Sequence, residues 1–132
     1  MLEAAVGLAA WPLTPDLPLR GEARSRTCGS RVAIGLELGE DGRIARVGCR
    51  VEACAVGQSA AALFVEAARG RDEAELIAAR AGIARWLDGG ERPDWPGLAL
   101  IDPALAYPAR HGAILLAWDA ALAALASPPA LR

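Results

Sequence analysis

The sequence predicts an α+β fold, in which helices pack on one face of a small antiparallel sheet built around a hairpin. The first observation is that apolar and polar residues alternate through residues 31–51, on both sides of Asp41-Gly42. This period of two is typical of strands with one buried face, and Asp-Gly is a strong hairpin signal. The second observation is that beyond Cys54 the apolar residues recur at helical spacing.

The chain has the size and composition of one domain. Its 132 residues are 54% hydrophobic and 23% charged, which is ordinary for a globular protein with its own core. We expect a single domain over residues 1–132, with its core in 18–127 and with a short helix and a proline-rich arm in 1–17. The helix is predicted within residues 1–11, and 12–27 are predicted to be extended because proline excludes helix in the residue before it.

Two strands are predicted on either side of the turn, Arg31–Leu38 and Arg43–Val51. Alternate residues of each strand are apolar, and they define the face that should pack against the helices. These residues are Val32, Ile34, Leu36 and Leu38 in the first strand, and Ala45, Val47, Cys49 and Val51 in the second.

Three helices are predicted after the hairpin. The first begins after Cys54 and ends before Gly70, and the second begins at Asp72, where Glu75 completes a capping-box pattern. Residues 91–109 are predicted to be loop, with Trp95 at the surface, and the last helix is predicted over Arg110–Ala126. Inward-facing residues are predicted to be Val56, Ala60, Leu63, Phe64 and Ala67 in the first helix; Leu76, Ile77, Ile83, Ala84 and Leu87 in the second; and Ile114, Leu115, Trp118, Ala121, Leu122 and Leu125 in the last.

Composition and motifs argue against several classes of function. The net charge of −2 gives no basic surface for nucleic acid. One histidine, the absence of a Gly-rich phosphate loop and the lack of a serine in a nucleophile-elbow context indicate that the protein is not an enzyme. An N-terminus without a basic segment, and no run of eighteen apolar residues, predict a soluble cytoplasmic protein that does not bind membranes.

The three cysteines are therefore the residues of interest. Cys28 precedes the first strand of the hairpin and Cys54 follows the second, so both are expected at the same edge of the sheet. Cys54 also begins a helix, where free backbone N–H groups favour the thiolate that binds metals or attacks sulfur donors. Cys49 lies on the apolar face of its strand and is predicted to be a buried structural cysteine.

Four segments resemble the iron–sulfur cluster scaffold family of the IscU, SufU and NifU N-terminal type. They are residues 27–32 (Thr-Cys-Gly-Ser-Arg-Val), 53–61 (Ala-Cys-Ala-Val-Gly-Gln-Ser-Ala-Ala), 70–72 (Gly-Arg-Asp) and 107–118 (Tyr-Pro-Ala-Arg-His-Gly-Ala-Ile-Leu-Leu-Ala-Trp). The resemblance implies the SufE/NifU/IscU-like fold. It also implies a scaffold that binds a cluster, [2Fe–2S] by analogy, or an iron or zinc ion, through Cys28 and Cys54. Its implied partners are a cysteine desulfurase and acceptor apoproteins.

The chain departs from the family at two ligand positions. The acidic ligand of the family corresponds to Ser30 and its third cysteine to Ala113. His111 is a candidate additional ligand, although a packing or capping role fits its position equally well, and a homodimer is another way to complete the site. Two alternatives therefore stay open: a relative that binds no cofactor and acts as an interaction or regulatory module, and a sulfur carrier that accepts persulfide at Cys54.

Overall fold

The computed structural model describes residues 7–26 and 29–127. Three antiparallel strands form one sheet in the order β1-β2-β3, and the helices pack against it, which confirms the predicted α+β class. The strands are β1 (Leu19–Arg24), β2 (Arg31–Leu38) and β3 (Ile44–Glu52). The α-helices are α1 (Ala55–Ala67), α2 (Glu73–Leu87) and α3 (His111–Ala126), and shorter 3-10 helices occupy Gly7–Ala10, Leu98–Ala106 and Pro108–Arg110.

The predicted hairpin is confirmed, but different residues point toward the core next to the turn. Ile34 lies opposite Cys49 and Leu36 opposite Val47, so their side chains share the buried face. An irregularity at Glu37/Leu38 then shifts the register and pairs Leu38 with Ile44. Ile44 is therefore buried, whereas Leu38 and Ala45 are exposed. The predictions that Leu38 and Ala45 face the core are wrong, because such a bulge changes which residues point inward.

Strand β1 lies where only an extended arm was predicted. Its inward residues are Leu19, Gly21 and Ala23, and two of these are too small to produce a clear alternating pattern. Their small size has a structural reason, because a Cβ atom at Gly21 would collide with the backbone of α3 at Ala120 and Ala124. β1 therefore contributes a nearly smooth surface on which α3 lies.

The proline-rich arm covers the opposite face of the sheet. Gly35 and Gly48 pair across β2 and β3, and a Cβ at either position would collide with arm residues between Pro12 and Leu17. The side chain of Leu17 is only 2% exposed. Of the helix predicted within residues 1–11, the structure describes a 3-10 turn at Gly7–Ala10, and residues 1–6 lie outside the described part.

Helix α3 occupies the centre of the domain, in contact with β1, β2, α1 and α2. Together with the preceding 3-10 turn, Pro108–Ala126 is long and apolar enough to cross a membrane by length and composition alone. The same holds for a core helix of a globular domain, and nearly half of this segment is buried within the domain. The fully buried residues of α3 are Ala113, Ile114, Leu116, Ala117, Trp118, Ala120, Ala121 and Ala124.

Helix α2 begins as predicted and packs differently. The Asp72 carboxylate accepts a hydrogen bond from the Glu75 N–H at 2.9 Å, and the Glu75 carboxylate accepts one from the Asp72 N–H at 3.2 Å. This reciprocal pair is a capping box. Leu76 and Ile83 are buried as predicted, whereas Ile77 is 53% exposed, so its predicted inward position is wrong. Trp86 supplies the missing part of the buried face.

Trp95 is a core residue, and its predicted surface position is wrong. Its indole N–H donates to the Leu63 carbonyl at 2.8 Å, and its ring stacks on Phe64 at a centroid distance of 5.6 Å. Trp118 contacts both rings edge-on, so the three aromatic side chains form one cluster. The proline-rich segment around Trp95 is therefore anchored, and part of the predicted loop continues as the 3-10 helix Leu98–Ala106.

Substitution of Gly21 by alanine tests the contact between β1 and α3. We expect Gly21→Ala to lower the free energy of unfolding by about 3 kcal/mol, because the added methyl group meets rigid backbone. Chemical denaturation monitored by circular dichroism measures this change. Gly39→Ala is the matched control, since its Cβ would meet at closest a side-chain oxygen of Asp41 at 3.1 Å. Equal stability of the two variants would contradict the proposed contact.

Candidate functional site

Cys54 lies at the corner between the sheet and helix α1. It is the N-cap residue of α1 with extended backbone angles, φ −66° and ψ 172°, and its side chain makes no capping hydrogen bond. The first amides of a helix have no intrahelical acceptors. The thiol is half-buried and is therefore both accessible and close to a site that favours negative charge.

The hairpin register supports the predicted place of Cys54 at one edge of the sheet. Arg31 lies opposite Glu52 and forms an ion pair with it, so the start of β2 and the end of β3 meet at one edge, and Cys54 lies just beyond this edge. Cys28 lies outside the described residues, so its predicted place beside Cys54 stays a prediction. Ser30, at the position of the family's acidic ligand, is 3% exposed.

An open apolar groove of about 350 Å³ runs beside Cys54. One wall is the first turn of α1, and the other is the 3-10 segment that precedes α3. Tyr107 is 64% exposed at the rim, and Arg110 forms no ion pair with any residue of the described ranges 7–26 and 29–127. The residues that line the groove include Cys54, Val56, Pro103, Ala104, Tyr107 and Arg110.

His111 is the first residue of α3, directly after the groove residue Arg110. Its Nε2 atom lies 3.1 Å from the carbonyl oxygen of Leu105, so in this arrangement Nε2 carries the proton and donates. In a neutral imidazole that donates from Nε2, Nδ1 is the nitrogen without a proton, and such a nitrogen can ligate a metal. The structure therefore shows a capping role for one nitrogen and leaves the other for a ligand role.

Ala113 packs against the turn that carries Cys54. It is 1% exposed, and a Cβ atom placed on Gly57 would lie 3.3 Å from the Ala113 methyl group and 2.8 Å from that of Ala53. The position that corresponds to the family's third cysteine is thus adjacent to the first turn of α1. A methyl group stands there, so this position supplies no metal ligand.

Cys49 is a core residue, as predicted. Its side chain is 8% exposed and faces Ile34 across the sheet. Burial raises the pKa of the Cys49 thiol to about 11, because the apolar surroundings disfavour the thiolate. Cys49 therefore remains a protonated thiol at neutral pH, unlike a metal ligand.

Within the part of the chain that the structure describes, no three His, Cys, Asp or Glu side chains form a cluster able to hold a metal ion. The sequence does not predict the groove, because one wall comes from residues 98–110, most of which are predicted to be loop. The only sequence signal for it was the resemblance of residues 107–118.

Comparison with known proteins supports the fold. No protein-family profile matches the chain. No curated protein matches it either. Among solved structures, the chain is similar to a nitrogen-fixing NifU-like protein (N-terminal) from Brucella abortus, with a TM-score of 0.81 and 25% identity over 94% of this chain and 90% of that one.

Two further structures have the same architecture. One is a putative iron–sulfur cluster assembly scaffold protein for the SUF system from Fervidobacterium islandicum AW-1, with a TM-score of 0.75 and 19% identity over 93% of this chain and 94% of the other. The other is a hypothetical protein, with a TM-score of 0.74 and 18% identity over 96% and 98% of the two chains. The chain thus has the fold of the NifU- and SufU-like structures, and the resemblance to them that its motifs predict is confirmed.

The burial of Cys49 predicts a pH dependence of stability. Its pKa is raised in the folded state, so between about pH 9 and 11 the folded protein keeps a proton that the unfolded chain releases. The free energy of unfolding should therefore fall with rising pH across this interval, by up to about 2 kcal/mol. Denaturant titrations from pH 8 to about 11 measure how the free energy of unfolding changes with pH. The sequence has no lysine, so no lysine side chain titrates in this range.

Cys49→Ala should flatten the slope of the free energy of unfolding against pH. Ile34→Val is the matched control, because it weakens the same contact without removing a titrating group and should keep the slope. A Cys49→Ala variant that retains the slope would show that the pH dependence arises elsewhere.

Proposed function

We propose that this chain is a scaffold-like protein of iron–sulfur cluster assembly, which holds a cluster or a metal ion as cargo at Cys54 and Cys28. The observation that carries the proposal is the accessible Cys54 thiol, at a helix N-terminus and beside an open groove, in a fold shared with a NifU-like domain. The proposed role is cytoplasmic and non-enzymatic and involves neither nucleic acid nor membrane.

The chemistry follows from the thiolate. A cysteine desulfurase would present a persulfide, and the Cys54 thiolate would attack its outer sulfur. A new sulfur–sulfur bond then forms on Cys54, the bond within the donor persulfide breaks, and the donor cysteine leaves as a thiolate. Two electrons from a reduced electron-transfer protein would then break the new sulfur–sulfur bond, which releases sulfide and returns Cys54 to a thiolate. The sulfide would combine with iron bound at the same place, and the finished cluster would pass to acceptor apoproteins.

The number of ligands limits how the cargo is held. A [2Fe–2S] cluster or a zinc ion takes four protein ligands in a closed site. Cys54, Cys28 and the Nδ1 atom of His111 are three candidates in one chain, and two copies that each contribute Cys28 and Cys54 would complete a site with four ligands. Iron-dependent dimerisation is therefore part of this proposal.

A second candidate is a relative that binds no cluster and acts through its partners. The buried methyl group of Ala113 and the buried Ser30 favour it, because both occupy positions where the family has ligands. In a related form, Cys54 alone would accept persulfide sulfur and pass it on without metal. Both candidates retain the desulfurase as a partner.

Anaerobic reconstitution with iron and sulfide distinguishes these candidates. We expect stoichiometric iron and sulfide on the wild type and on Cys49→Ala, and their loss in Cys54→Ser and in Cys28→Ser. Serine is a better N-cap than cysteine, so Cys54→Ser should keep α1 folded, and loss of the metal would reflect loss of the thiol.

Iron that binds equally well without either thiol, or that never binds, would exclude the scaffold role. If sulfur from a desulfurase still reaches Cys54 in that case, measured by mass spectrometry, the sulfur-carrier role is the one that remains. If the protein neither binds iron nor accepts sulfur at Cys54, the interaction module is the candidate that remains.

Restoring the third cysteine should strengthen metal binding. Ala113 lies against the first turn of α1, so we expect Ala113→Cys to raise the affinity for zinc at least about tenfold, measured by competition with a chromophoric chelator. Ala117→Cys is the matched control, since Ala117 is equally buried and lies one helical turn farther along α3. Equal affinities of the two variants would mean that position 113 does not face the site.

A further inference from the structure

Gln58 holds the backbone on both sides of Cys54. Its side-chain amide donates to the Ala53 carbonyl at 2.9 Å, and its backbone N–H donates to the Cys54 carbonyl at 2.9 Å. These carbonyl groups belong to the peptide units immediately before and after the Cys54 Cα atom. One residue therefore restrains both backbone angles of Cys54, and with them the direction of its Cα–Cβ bond.

This side-chain bond is not a helix cap. A cap supplies an acceptor to the free amides of the first turn, whereas Gln58 uses its amide as a donor to a carbonyl outside the helix. The bond leaves those amides available to a thiolate at Cys54, which itself makes no capping bond. The bond from Gln58 to Ala53 therefore acts on the backbone geometry at Cys54, where β3 leads into α1.

The Gln58 side chain lies on the side of α1 that faces the N-terminal arm and β3. It is half-buried and lies in a hollow with residues of the N-terminal arm and of β3, including Leu8, Pro12 and Cys49. The groove beside Cys54 is lined instead by Val56, which is about 160° away from Gln58 around the helix. Gln58 therefore acts from the side of α1 opposite the groove and does not obstruct access to the thiol.

We propose that Gln58 is a positioning residue that holds the Cys54 thiol over the N-terminus of α1. This inference rests on the proposed function in that Cys54 is the residue that receives sulfur or metal. Without the side-chain bond, the Ala53–Cys54 peptide unit can reorient, and the Cα–Cβ bond of Cys54 no longer keeps one direction at the start of α1. Cys54 then reacts more slowly with an electrophile.

The test compares two unbranched replacements with similar helix propensities. Gln58→Met removes the donor, and Gln58→Lys keeps one. The rate of alkylation by iodoacetamide is measured for each cysteine separately, by mass spectrometry of the digested full-length protein. We expect Cys54 to react about two- to five-fold more slowly in Gln58→Met, from the size of helix N-terminal effects. Gln58→Lys should restore the rate at about 1 M salt, where the added charge is screened within about 3 Å.

Cys49 reports whether the replacement merely loosens the fold. It lies in the same hollow as Gln58 and should stay unreactive in both variants, with unchanged thermal unfolding. The inference is overturned if Cys54 is alkylated at the wild-type rate in Gln58→Met. It is also overturned if the alkylation rate of Cys54 changes and Cys49 becomes reactive in the same variant. A failure of Gln58→Lys to restore the rate overturns it as well.

The outcome is independent of the proposed function, because iodoacetamide needs neither iron nor a sulfur donor. If Cys54 slows in Gln58→Met but the wild type takes up neither metal nor sulfur, positioning by Gln58 is established and the scaffold role is not. If the wild type takes up iron and sulfide and Gln58→Met reacts at the wild-type rate, the scaffold role stands and the positioning role fails.

Discussion

Direct contact between the backbone of α3 and strand β1 determines the arrangement of the rest of the domain. Gly21 has no side chain to separate the two elements, and the facing residues of α3, including Ala120 and Ala124, are equally small. At this distance α3 is covered on several sides by β1, β2, α1 and α2, so it must be apolar nearly all round. The same placement brings the first turn of α3, with Ala113, against Gly57 of α1. The functional corner at Cys54 thus depends on a packing contact at the other end of the helix.

Much of the fold follows from local sequence signals, and the exceptions have identifiable physical causes. Strand β2 and the capping box at Asp72 were predicted correctly because alternation and capping act over a few residues. Strand β1 was missed because close packing requires glycine and alanine at its inward positions, and these residues remove the alternation by which a strand is recognised. Trp95 was misplaced because its hydrogen-bond partner, Leu63, lies 32 residues away, and nothing in the proline-rich sequence around it encodes that contact.

For the candidate site, the sequence predicts individual residues but not the groove beside them. The strand–helix corner identifies Cys54 from the sequence, and the resemblance of the surrounding motifs assigns Ser30 and Ala113 to family ligand positions. The groove and the hydrogen bond from Gln58 to Ala53 depend on how distant segments pack, and a pattern of residue types does not contain them. Cys28 lies outside the described residues, so its share in the site is still known only as a prediction.

The hydrogen bond from the Ser127 hydroxyl to the Arg20 carbonyl joins residues 107 positions apart, and the contact of Gly21 with α3 also joins distant parts of the chain. During synthesis from the N-terminus, the β1 segment therefore leaves the ribosome long before the helix that covers it exists. Native contacts of such large sequence separation slow folding, because the intervening chain must be ordered before they form. The nascent chain consequently has a long interval in which the face of β1 that α3 covers in the folded domain is accessible to chaperones or to other chains.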